Sequence, residues 1–497
     1  MAVPELRVST VNSRAVREDG EFVLYWMTSA RRTAWNFGLD RALDEAERLG
    51  KPLVVLEALR TGYRWASDRL HAFVLHGMAD NARALSGTPL LHYPYVEPEP
   101  GAGSGLLEAL GKRACLIVTD DYPCFFLPRM VTAAGRKLDV RLEAVDSNGL
   151  LPLRAPERSF TTAFSLRAFL QKNLAPHLDQ PPAARPLEER QLVETPRDLL
   201  ESEQSRWPAA RPEVLEAQPG ALAALPIDHD VKAIEGRGGR EVGLQELETF
   251  LQDRLPHYHE SRNDPVSDVA SGLSPYLHFG HLSVHEIFAR LVEREGSWST
   301  GRLDPRGNGG KREGWWQLRP ETEAFLDELV TWRELGFLFG HRRPHDYDAF
   351  ESLPDFAKTT LREHAEDERP HVYTLAEFEE ARTHDDLWNA AQRQLVREGK
   401  IHNYLRMLWG KKILHWSRTP QEALEVMIEL NNKYALDGRD PNSYSGIFWV
   451  LGRFDRAWGP ERPIFGKVRY MASENTRRKL NVKPYLASYA AQGELFA

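Results

Sequence analysis

Tryptophan is unusually dense between Asp385 and Tyr470, where five of the chain's 13 tryptophans fall, and indole is a side chain that can lose an electron. Trp409 and Trp416 are seven residues apart, so on one predicted helix they share a face. That spacing alone favours ordinary core packing over a redox role. The alternative is a hopping chain, in which closely spaced rings carry an electron from the surface to a buried cofactor. The five residues are Trp388, Trp409, Trp416, Trp449 and Trp458.

A strongly basic run follows in the same part of the chain. Between Arg453 and Lys483 there are nine Arg or Lys against three Asp or Glu, a local charge of +6 in a chain of net charge -8. Such a run is usually a solvated face. Because Trp449, Trp458 and Tyr470 accompany it, the alternative is contact with a nucleic-acid backbone, assisted by aromatic stacking.

Two carboxyl groups, those of Glu328 and Asp437, have a candidate partner side chain. Glu328 and Trp332 are one helical turn apart, which is consistent either with an incidental surface glutamate or with a carboxyl and an aromatic platform that face a cavity. Arg406 and Asp437 are a second candidate pair, and as such they predict a salt bridge.

Two further motifs have a structural and a functional reading. Ser274 followed by Pro275 predicts a capped helix start, and backbone N–H groups at such a start suit a phosphate. His281 and His285 have the i, i+4 spacing of a metal-binding pair, but no further ligand accompanies them. The sequence therefore predicts a solvated helix face there and no metal site.

The elements before residue 180 predict a doubly wound parallel sheet, because buried apolar runs alternate with the helical patterns Thr33–Leu49 and Asp68–Leu85. Ligands of such sheets bind at the carboxyl ends of strands, so Trp26–Arg32 and Thr119–Tyr122 are the expected rim loops. The sequence has neither GxGxxG after the first strand nor GxxxxGK[ST], which argues against the usual dinucleotide and P-loop sites. The predicted strands are Phe22–Met27, Pro52–Glu57, Cys115–Thr119 and Leu138–Ala144.

The rest of the chain predicts a connector and a helical domain. We expect an α/β domain at residues 1–180, a Pro- and Ala-rich linker at 181–225, and an all-α domain at 226–497. The Gly-rich segment 296–320 predicts an exposed loop. The helical patterns are Leu244–Leu255, Leu282–Arg294, Glu321–Phe339, Leu375–Arg382, Leu387–Trp416 and Pro420–Tyr434.

The overall composition indicates the cellular compartment in which the protein is expected. The chain has 497 residues and two cysteines, which excludes a disulfide framework and fits a reducing environment. It shows no signal-type N-terminus and no apolar run long enough for a membrane span, so we expect a cytoplasmic protein without membrane contact.

Several long segments together resemble the photolyase/cryptochrome flavoproteins, and among them the class II cyclobutane pyrimidine dimer photolyases. The similarity is close over residues 226–497; over 1–180 it consists of the architecture and FVLYWM. The segments are YHESRNDP (258–265), LSPYLHFGHLS (273–283), LWNAAQ (387–392), REGKIHNYLRMLWGKKILHW (397–416), LNNKYALDGRDPNSYSGIFW (430–449) and RPIFGKVRYM (462–471).

This resemblance implies a light-driven DNA-repair enzyme with FAD, active in its fully reduced form, and UV-damaged DNA as its partner. Asn431 would face the flavin N5, and the Arg406–Asp437 pair would lie over the flavin ring. Glu328 would bind the lesion, and the tryptophan spacing is now better explained by a relay. The implied FAD-binding residues are Tyr258, Arg262, Ser271, Leu273, Ser274, Arg406, Asn431, Asp437 and Asp440. The implied electron relay consists of Trp409, Trp388 and Trp416. The implied lesion pocket contains, besides Glu328, the residues Trp332, Met407 and Trp449. The residues implied to contact DNA around the lesion, called the DNA grip below, are Arg456, Trp458, Lys467 and Arg469.

Three points stay open at this stage. The second half of FLDELVTWRELGFLFGHRRPHDYDAF and the 296–320 segment depart from the family pattern, which keeps a blue-light receptor that photoreduces FAD without repair as the alternative. Residues 146–180 also diverge, so an antenna chromophore would be an 8-hydroxy-5-deazaflavin, a folate or absent. We expect a monomer without an obligate protein partner.

Overall fold

A computed structural model describes residues 2–188, 190–303 and 309–491. The chain folds into two compact units that alternate along the sequence. The domain boundaries predicted above stay a prediction, because these units are defined by contacts alone. Unit 1 runs to Glu157 and adds Leu174–Leu247 and Leu273–Thr300; unit 2 consists of Arg158–Asn173, Glu248–Gly272 and the chain from Gly301 onward.

Unit 1 is built on a six-stranded sheet with the order β1-β6-β5-β2-β3-β4. All neighbouring strands are parallel except β1, which pairs antiparallel with β6. The predicted doubly wound sheet is confirmed, but β1 and β4 were not predicted. β1 has three residues, and Pro94 inside β4 is tolerated because β4 is an edge strand. The strands are β1 Val8–Thr10, β2 Phe22–Met27, β3 Leu53–Leu59, β4 Leu91–Val96, β5 Ala114–Asp120 and β6 Leu142–Val145.

The helix after β2 starts later than predicted. The Asn36 side chain accepts hydrogen bonds from Gly38 N and Leu39 N, so the first turn begins at Phe37, and Gly50 ends the helix with a left-handed φ of 60°. The helices of the sheet are α1 Phe37–Leu49, α2 Asp68–Leu85, α3 Leu106–Arg113 and α4 Leu127–Lys137.

The two predicted rim loops meet at the carboxyl end of β5. The Asp120 carboxylate accepts hydrogen bonds from Thr28 N at 2.7 Å, Ser29 N at 2.7 Å and Ala30 N at 3.0 Å. Tyr25 donates its hydroxyl to the other carboxylate oxygen at 2.7 Å. Asp120 therefore satisfies the N–H groups that an anionic ligand would use at this edge.

The predicted linker packs against the sheet. Leu200 and Trp207 belong to the core of unit 1, and Ala210 N donates to Pro94 O at 2.8 Å, which covers part of the β4 edge. The segment contains three short helices: α7 Glu201–Arg206, α8 Pro212–Leu215 and α9 Pro219–Leu222. They follow α5 Ala163–Asn173 and α6 Ala175–Leu178.

Helices form the rest of both units, and two of them contain a π-helical segment. Phe250–Arg254 joins α10 to α11, and Asp327–Trp332 joins α14 to α15. The predicted single helix Leu387–Trp416 is wrong, because Gly399 adopts a left-handed φ of 69° and separates α18 from α19. The helices are α10 Arg240–Thr249, α11 Leu255–Ser261, α12 Ser274–His278, α13 Val284–Arg294, α14 Pro320–Leu326, α15 Arg333–Arg342, α16 Asp355–Glu363, α17 Leu375–Glu379, α18 Asp386–Glu398, α19 Asn403–Trp416, α20 Pro420–Tyr434, α21 Pro441–Val450, α22 Ser473–Lys479 and α23 Lys483–Ser488.

Two expectations about exposure were wrong. His281 and His285 are buried in unit 1 instead of solvated. The Gly-rich segment 296–320 was expected to be an exposed loop, but its Trp315 and Trp316 are buried side by side, with ring centroids 4.1 Å apart. Residues 304–308 of that segment lie outside the described residues. Among the described residues, none of the helices combines the length and apolar composition needed to cross a bilayer.

Candidate functional site

Three buried tryptophans lie together in unit 2. Asp385 caps α18 by accepting from Leu387 N and Trp388 N, which fixes Trp388 in the first turn. Trp388 donates Nε1–H to Trp409 O at 3.0 Å, and its ring centroid is 6.0 Å from that of Trp416. All three indoles are at most 2% exposed. The structure thus brings the predicted relay residues into one buried group.

The Trp409 indole is also held by a polar partner that the sequence reasoning missed. Its Nε1–H donates to Gln392 Oε1 at 2.9 Å, and the Gln392 side chain is fully buried on α18. This bond fixes the ring orientation, because a buried N–H without an acceptor costs free energy. The LWNAAQ segment contains Gln392, but its spacing alone does not distinguish an indole partner from a core amide.

The Arg406–Asp437 salt bridge forms as predicted, with two parallel bonds of 2.9 and 3.3 Å. Arg406 extends from α19, and Asp437 lies in the turn that follows α20. Gly438 is required in that turn, because an added Cβ would lie 2.6 Å from Asn431 O. The Arg406 Nε–H is buried and has no hydrogen-bond partner among the described residues. A bound group with an acceptor atom would satisfy it.

Asn431 and Asp440 lie close to this pair in the sequence and are both buried. Asn431 Nδ2 donates to Ser443 Oγ at 2.6 Å, which ties α20 to α21. Asp440 caps α21 by accepting from Asn442 N at 2.8 Å. The segment 431–443 therefore forms a rigid polar corner.

The remaining predicted cofactor residues are divided between the units. In unit 2, Arg262 donates to Ala324 O at 3.1 Å and its guanidinium carbon lies 5.7 Å from the centroid of the Tyr258 ring, while Ser271 is partly buried. In unit 1, Leu273 is buried and occupies the N-cap position of α12, and Ser274 is the first residue of that helix. The predicted Ser274 cap is therefore wrong by one residue.

Glu328 lies in the π-helical segment Asp327–Trp332. Burial raises the pKa of Glu328 to about 7, although the Arg262 guanidinium acts in the opposite direction. The segment begins with Asp327, whose carboxylate makes two bonds of 2.8 and 3.1 Å to Arg167 on α5. Single π turns inside α-helices are frequent at functional sites, and here the turn carries both Glu328 and Trp332.

The other predicted pocket residues come from neighbouring helices. Trp332, Met407 and Trp449 are all partly exposed, in contrast to the buried relay. In the amide orientation that satisfies both of its polar atoms, Asn442 on α21 donates to Trp332 O at 3.1 Å and to Arg333 O at 3.2 Å. Asn442 thereby links the π-helical segment to the helix that carries Trp449.

The helices approach closely because of two glycines. A Cβ on Gly336 would lie 3.0 Å from Asn442 Cα, and a Cβ on Gly410 would lie 2.6 Å from Val450 Cγ2. Gly336 therefore lets α15 contact α21, and Gly410 lets α19 contact the same helix.

Arginines and tryptophans alternate beside Trp449. The Arg469 guanidinium carbon lies 4.1 Å from the ring centroid of Trp458 and 5.5 Å from that of Trp449, and the Arg456 carbon lies 4.5 Å from that of Trp458. Two of the predicted DNA-contacting cations are paired within the protein. Arg469 makes two bonds to Asp455, and Lys467 Nζ lies 3.1 Å from Glu461.

Lys411 is a buried cation that the sequence reasoning missed. Its Nζ donates to Val450 O at 2.5 Å and lies 5.0 Å from the ring centroid of Trp449. Burial lowers the pKa of Lys411 to about 7. The lysine belongs to the WGKK segment, where no pattern separates a buried amine from a solvated one.

Comparison with known proteins places these features in a family. The chain is 31% identical over 486 residues to the deoxyribodipyrimidine photo-lyase of Methanothermobacter thermautotrophicus, covering 97% of each chain. It is 32% identical over 480 residues to the photo-lyase of Arabidopsis thaliana, covering 94% of this chain and 88% of the relative. For the photo-lyase of Potorous tridactylus the values are 32% over 512 residues, with 97% and 85% covered. No protein-family model matches the chain.

Solved structures support the same fold. A class III photolyase from Agrobacterium tumefaciens matches with a TM-score of 0.63 at 16% identity, covering 95% of this chain and 86% of that one. An archaeal photolyase from Sulfolobus tokodaii with two FAD molecules matches with a TM-score of 0.60 at 16% identity, covering 94% and 90%. The fold is therefore that of the photolyases, a class of light-driven flavoproteins. From the sequence identity to its relatives, the chain belongs to the deoxyribodipyrimidine photo-lyase family.

Proposed function

We propose that this chain is a class II-like deoxyribodipyrimidine photo-lyase, which uses light to split cyclobutane pyrimidine dimers in DNA. The class assignment rests on the motifs within residues 226–497, because the class III and archaeal structures are only 16% identical and bear on the fold alone. The observation that carries the proposal is Glu328, a partly buried carboxyl with a raised pKa in the same π-helical segment as Trp332, which is also partly buried.

Glu328 suits a lesion that becomes negatively charged. A dimer inside a duplex is out of reach, so it must be flipped out, and its disturbed stacking lowers the cost. With its pKa near 7, Glu328 is protonated over much of the neutral range and donates a hydrogen bond to a carbonyl of the dimer. A protonated carboxyl also avoids repelling the extra electron on the lesion. Trp332 and Trp449 would supply the apolar walls.

The residues around Arg406 fit FAD. The unpaired Arg406 Nε–H and the Arg406–Asp437 pair offer a donor and a balanced charge to a flavin ring, while Asn431 offers an amide. When bound, FAD supplies the light-driven electron transfer to and from the lesion. Tyr258, Arg262 and Ser271, all in unit 2, would hold other parts of the cofactor.

An antenna chromophore would belong to the α/β unit. The two predicted candidates are 8-hydroxy-5-deazaflavin and a folate. The Sulfolobus tokodaii structure contains two FAD molecules, which adds a flavin as a third candidate. Bound chromophore extracted from the purified protein would identify it by mass.

The DNA grip would act mainly through stacking. Because Arg469 and Lys467 already have acidic partners, their contribution to phosphate binding is reduced. The Arg456–Trp458–Arg469 stack offers flat surfaces to unpaired bases instead.

Lesion binding by the aromatic walls can be measured directly. Trp332→Ala and Trp449→Ala should each weaken binding of a dimer-containing oligothymidine by about 5- to 150-fold, the equivalent of about 1–3 kcal/mol per stacked base. Phe164→Ala is the control, since this side chain is 58% exposed on α5. Unchanged affinity in both tryptophan variants, or equal loss for undamaged DNA, would contradict the pocket.

The receptor alternative gains no support, since the relatives named above are all described as photo-lyases. The monomeric state, the cytoplasmic location and the independence from protein partners stay predictions.

A further inference from the structure

Residues 458–467 form a loop of unit 2 that closes on itself, called the grip loop here. Trp458 N donates to Lys467 O at 2.8 Å, so the two ends of the loop are joined. Near its tip, Arg462 N donates to Gly466 O at 3.1 Å and Gly466 N donates to Arg462 O at 2.7 Å. Trp458 and Lys467 both belong to the DNA grip, so a contact that holds this loop also holds the backbone from which they extend.

Polar groups on α16 and in the turn after it hold the grip loop. Thr360 Oγ1 accepts a hydrogen bond from Lys467 N at 3.0 Å, and the Asp367 carboxylate accepts one from Ile464 N at 2.7 Å. A Cβ on Gly466 would collide with the Thr360 side chain, so the loop lies directly against α16. The side chains that follow from α16 therefore face the loop at hydrogen-bond distance.

His364 lies between two carboxylates that come from different segments. Its Nδ1 is 2.6 Å from Asp367 Oδ2, and its Nε2 is 3.5 Å from Glu461 Oε2 of the grip loop. A neutral imidazole has a single N–H, so only the imidazolium can donate towards both carboxylates. The two acids raise the pKa of His364, and the hydrogen bond to Asp367 is the largest cause.

The Glu461 carboxylate is shared between two cations. Its Oε1 lies 3.1 Å from Lys467 Nζ, and its Oε2 is the atom that faces His364. The bond to Lys467 lowers the pKa of Glu461, and His364 acts in the same direction. Glu461 and Lys467 are 46% and 50% exposed at their side chains, so a ligand in solution can reach the pair. The other cation near this group is Arg369, which acts on Asp367.

We propose that protonated His364 is a positioning residue of the DNA grip, because it keeps Glu461 paired when Lys467 turns to a phosphate of the DNA backbone. The inference rests on the proposed function, which makes DNA the ligand. In the exchange, the Lys467–Glu461 pair is replaced by a Lys467–phosphate pair, while Glu461 stays on the imidazolium. With neutral His364, the carboxylate retains Lys467, and its unbalanced charge repels the approaching phosphate. By linkage, bound DNA should in turn hold the proton on His364 more firmly.

The test measures DNA affinity against salt concentration and pH. The flavin-loaded full chain is titrated in the dark with a labelled duplex that contains one cyclobutane dimer. Each phosphate neutralised by a lysine makes the plot of log association constant against log salt steeper by about 0.9. The wild type should show this increment below the pKa of His364 and lose it, together with affinity, as the pH rises through that pKa.

Four variants separate the exchange from a general effect. His364→Gln keeps a hydrogen-bonding side chain without the charge, so its plot should have the shallower slope at every pH. His364→Lys restores a permanent charge and should be steep at every pH. Lys467→Gln removes the phosphate contact and should be shallow throughout, without any change on α16. His229→Gln is the matched control, since this imidazole in unit 1 lies 2.7 Å from Asp68, and it should keep the wild-type profile.

The titration of Glu328 is accounted for by comparison. Glu328 also loses its proton near neutral pH, so the contribution of His364 is the part of the profile that His364→Gln removes. A merely structural role of His364 would lower the affinity by the same factor at every pH and leave the slope unchanged.

The results that would overturn the inference differ from those that would overturn the proposed function. A wild-type slope that does not change with pH, or a His364→Gln slope as steep as that of the wild type, would show that His364 does not free Lys467. A wild-type slope in Lys467→Gln would show that this lysine contacts no phosphate. If dimers are still lost in the light, these results refute the exchange alone. Equal affinity of the wild type for damaged and undamaged duplex would instead contradict the proposed function.

Discussion

Replacing Arg167 with methionine should disturb the π-helical segment that carries Glu328. Arg167 and Asp327 are 9% and 3% exposed at their side chains, and two bonds of 2.8 and 3.1 Å join them. Methionine keeps much of the volume but leaves the Asp327 carboxylate buried without its partner. Breaking such a pair costs about 3–5 kcal/mol, whereas replacing both members by apolar residues is often neutral or stabilising.

The same change should also alter the titration of Glu328. The Asp327 charge raises the pKa of Glu328 and the Arg167 charge lowers it, so losing Arg167 moves that pKa further above its value of about 7. If protonated Glu328 supports lesion splitting, the pH above which repair declines should move upward in Arg167→Met.

The assay pairs urea unfolding with repair rates of pre-reduced enzyme across pH. Arg167→Met should lose about 3–5 kcal/mol of unfolding free energy, and the double variant Arg167→Met/Asp327→Leu should recover most of it. The double variant should also return the pH midpoint toward or below that of the wild type. A single variant as stable as the double, or one with an unshifted pH midpoint, would refute the reasoning.

Three further perturbations address separate parts of the site. The repair rate of the wild type should fall as the pH rises through about 7, because the Glu328 carboxyl loses its proton. In Glu328→Gln the repair rate should not depend on pH in this range. Parallel pH profiles for the two proteins would exclude a role for protonated Glu328. Trp409→Phe should block photoreduction of oxidised flavin, seen by absorption, while repair by pre-reduced enzyme persists; loss of both would mean a structural defect. Gly336→Ala should weaken dimer binding, because its Cβ would lie 3.0 Å from Asn442 Cα and push α15 from α21; a binding curve equal to the wild type would show that the helices do not need this approach.

The pattern of apolar residues predicted those strands that are buried along their whole length. β2 is buried at every residue, and its bounds were predicted without error because a strand covered on both faces has a continuous apolar sequence. β4 was not predicted, because Pro94 and the polar His92 interrupt the apolar pattern of the strand. The sheet tolerates these residues because β4 is an edge strand. The break at Gly399 was missed because one glycine in a helical pattern is compatible with either a cap or a tolerated interior position.

Some contacts between the residues named by the family resemblance could be expected from the sequence, whereas contacts between distant segments could not; the roles of these residues stay predictions. The Arg406–Asp437 pair and the buried tryptophan group formed as expected. Arg167 lies 160 residues before Asp327 in a segment that diverges from the family, so no local pattern could pair them.

The most direct test is light-dependent loss of dimers. The purified full chain, with its flavin reduced, is mixed with UV-damaged oligothymidine, and intact dimers are counted after blue light and after an equal time in the dark. The account predicts that dimers disappear in the light only. A protein that binds flavin but leaves the dimer content unchanged in the light would contradict the assignment as a photo-lyase.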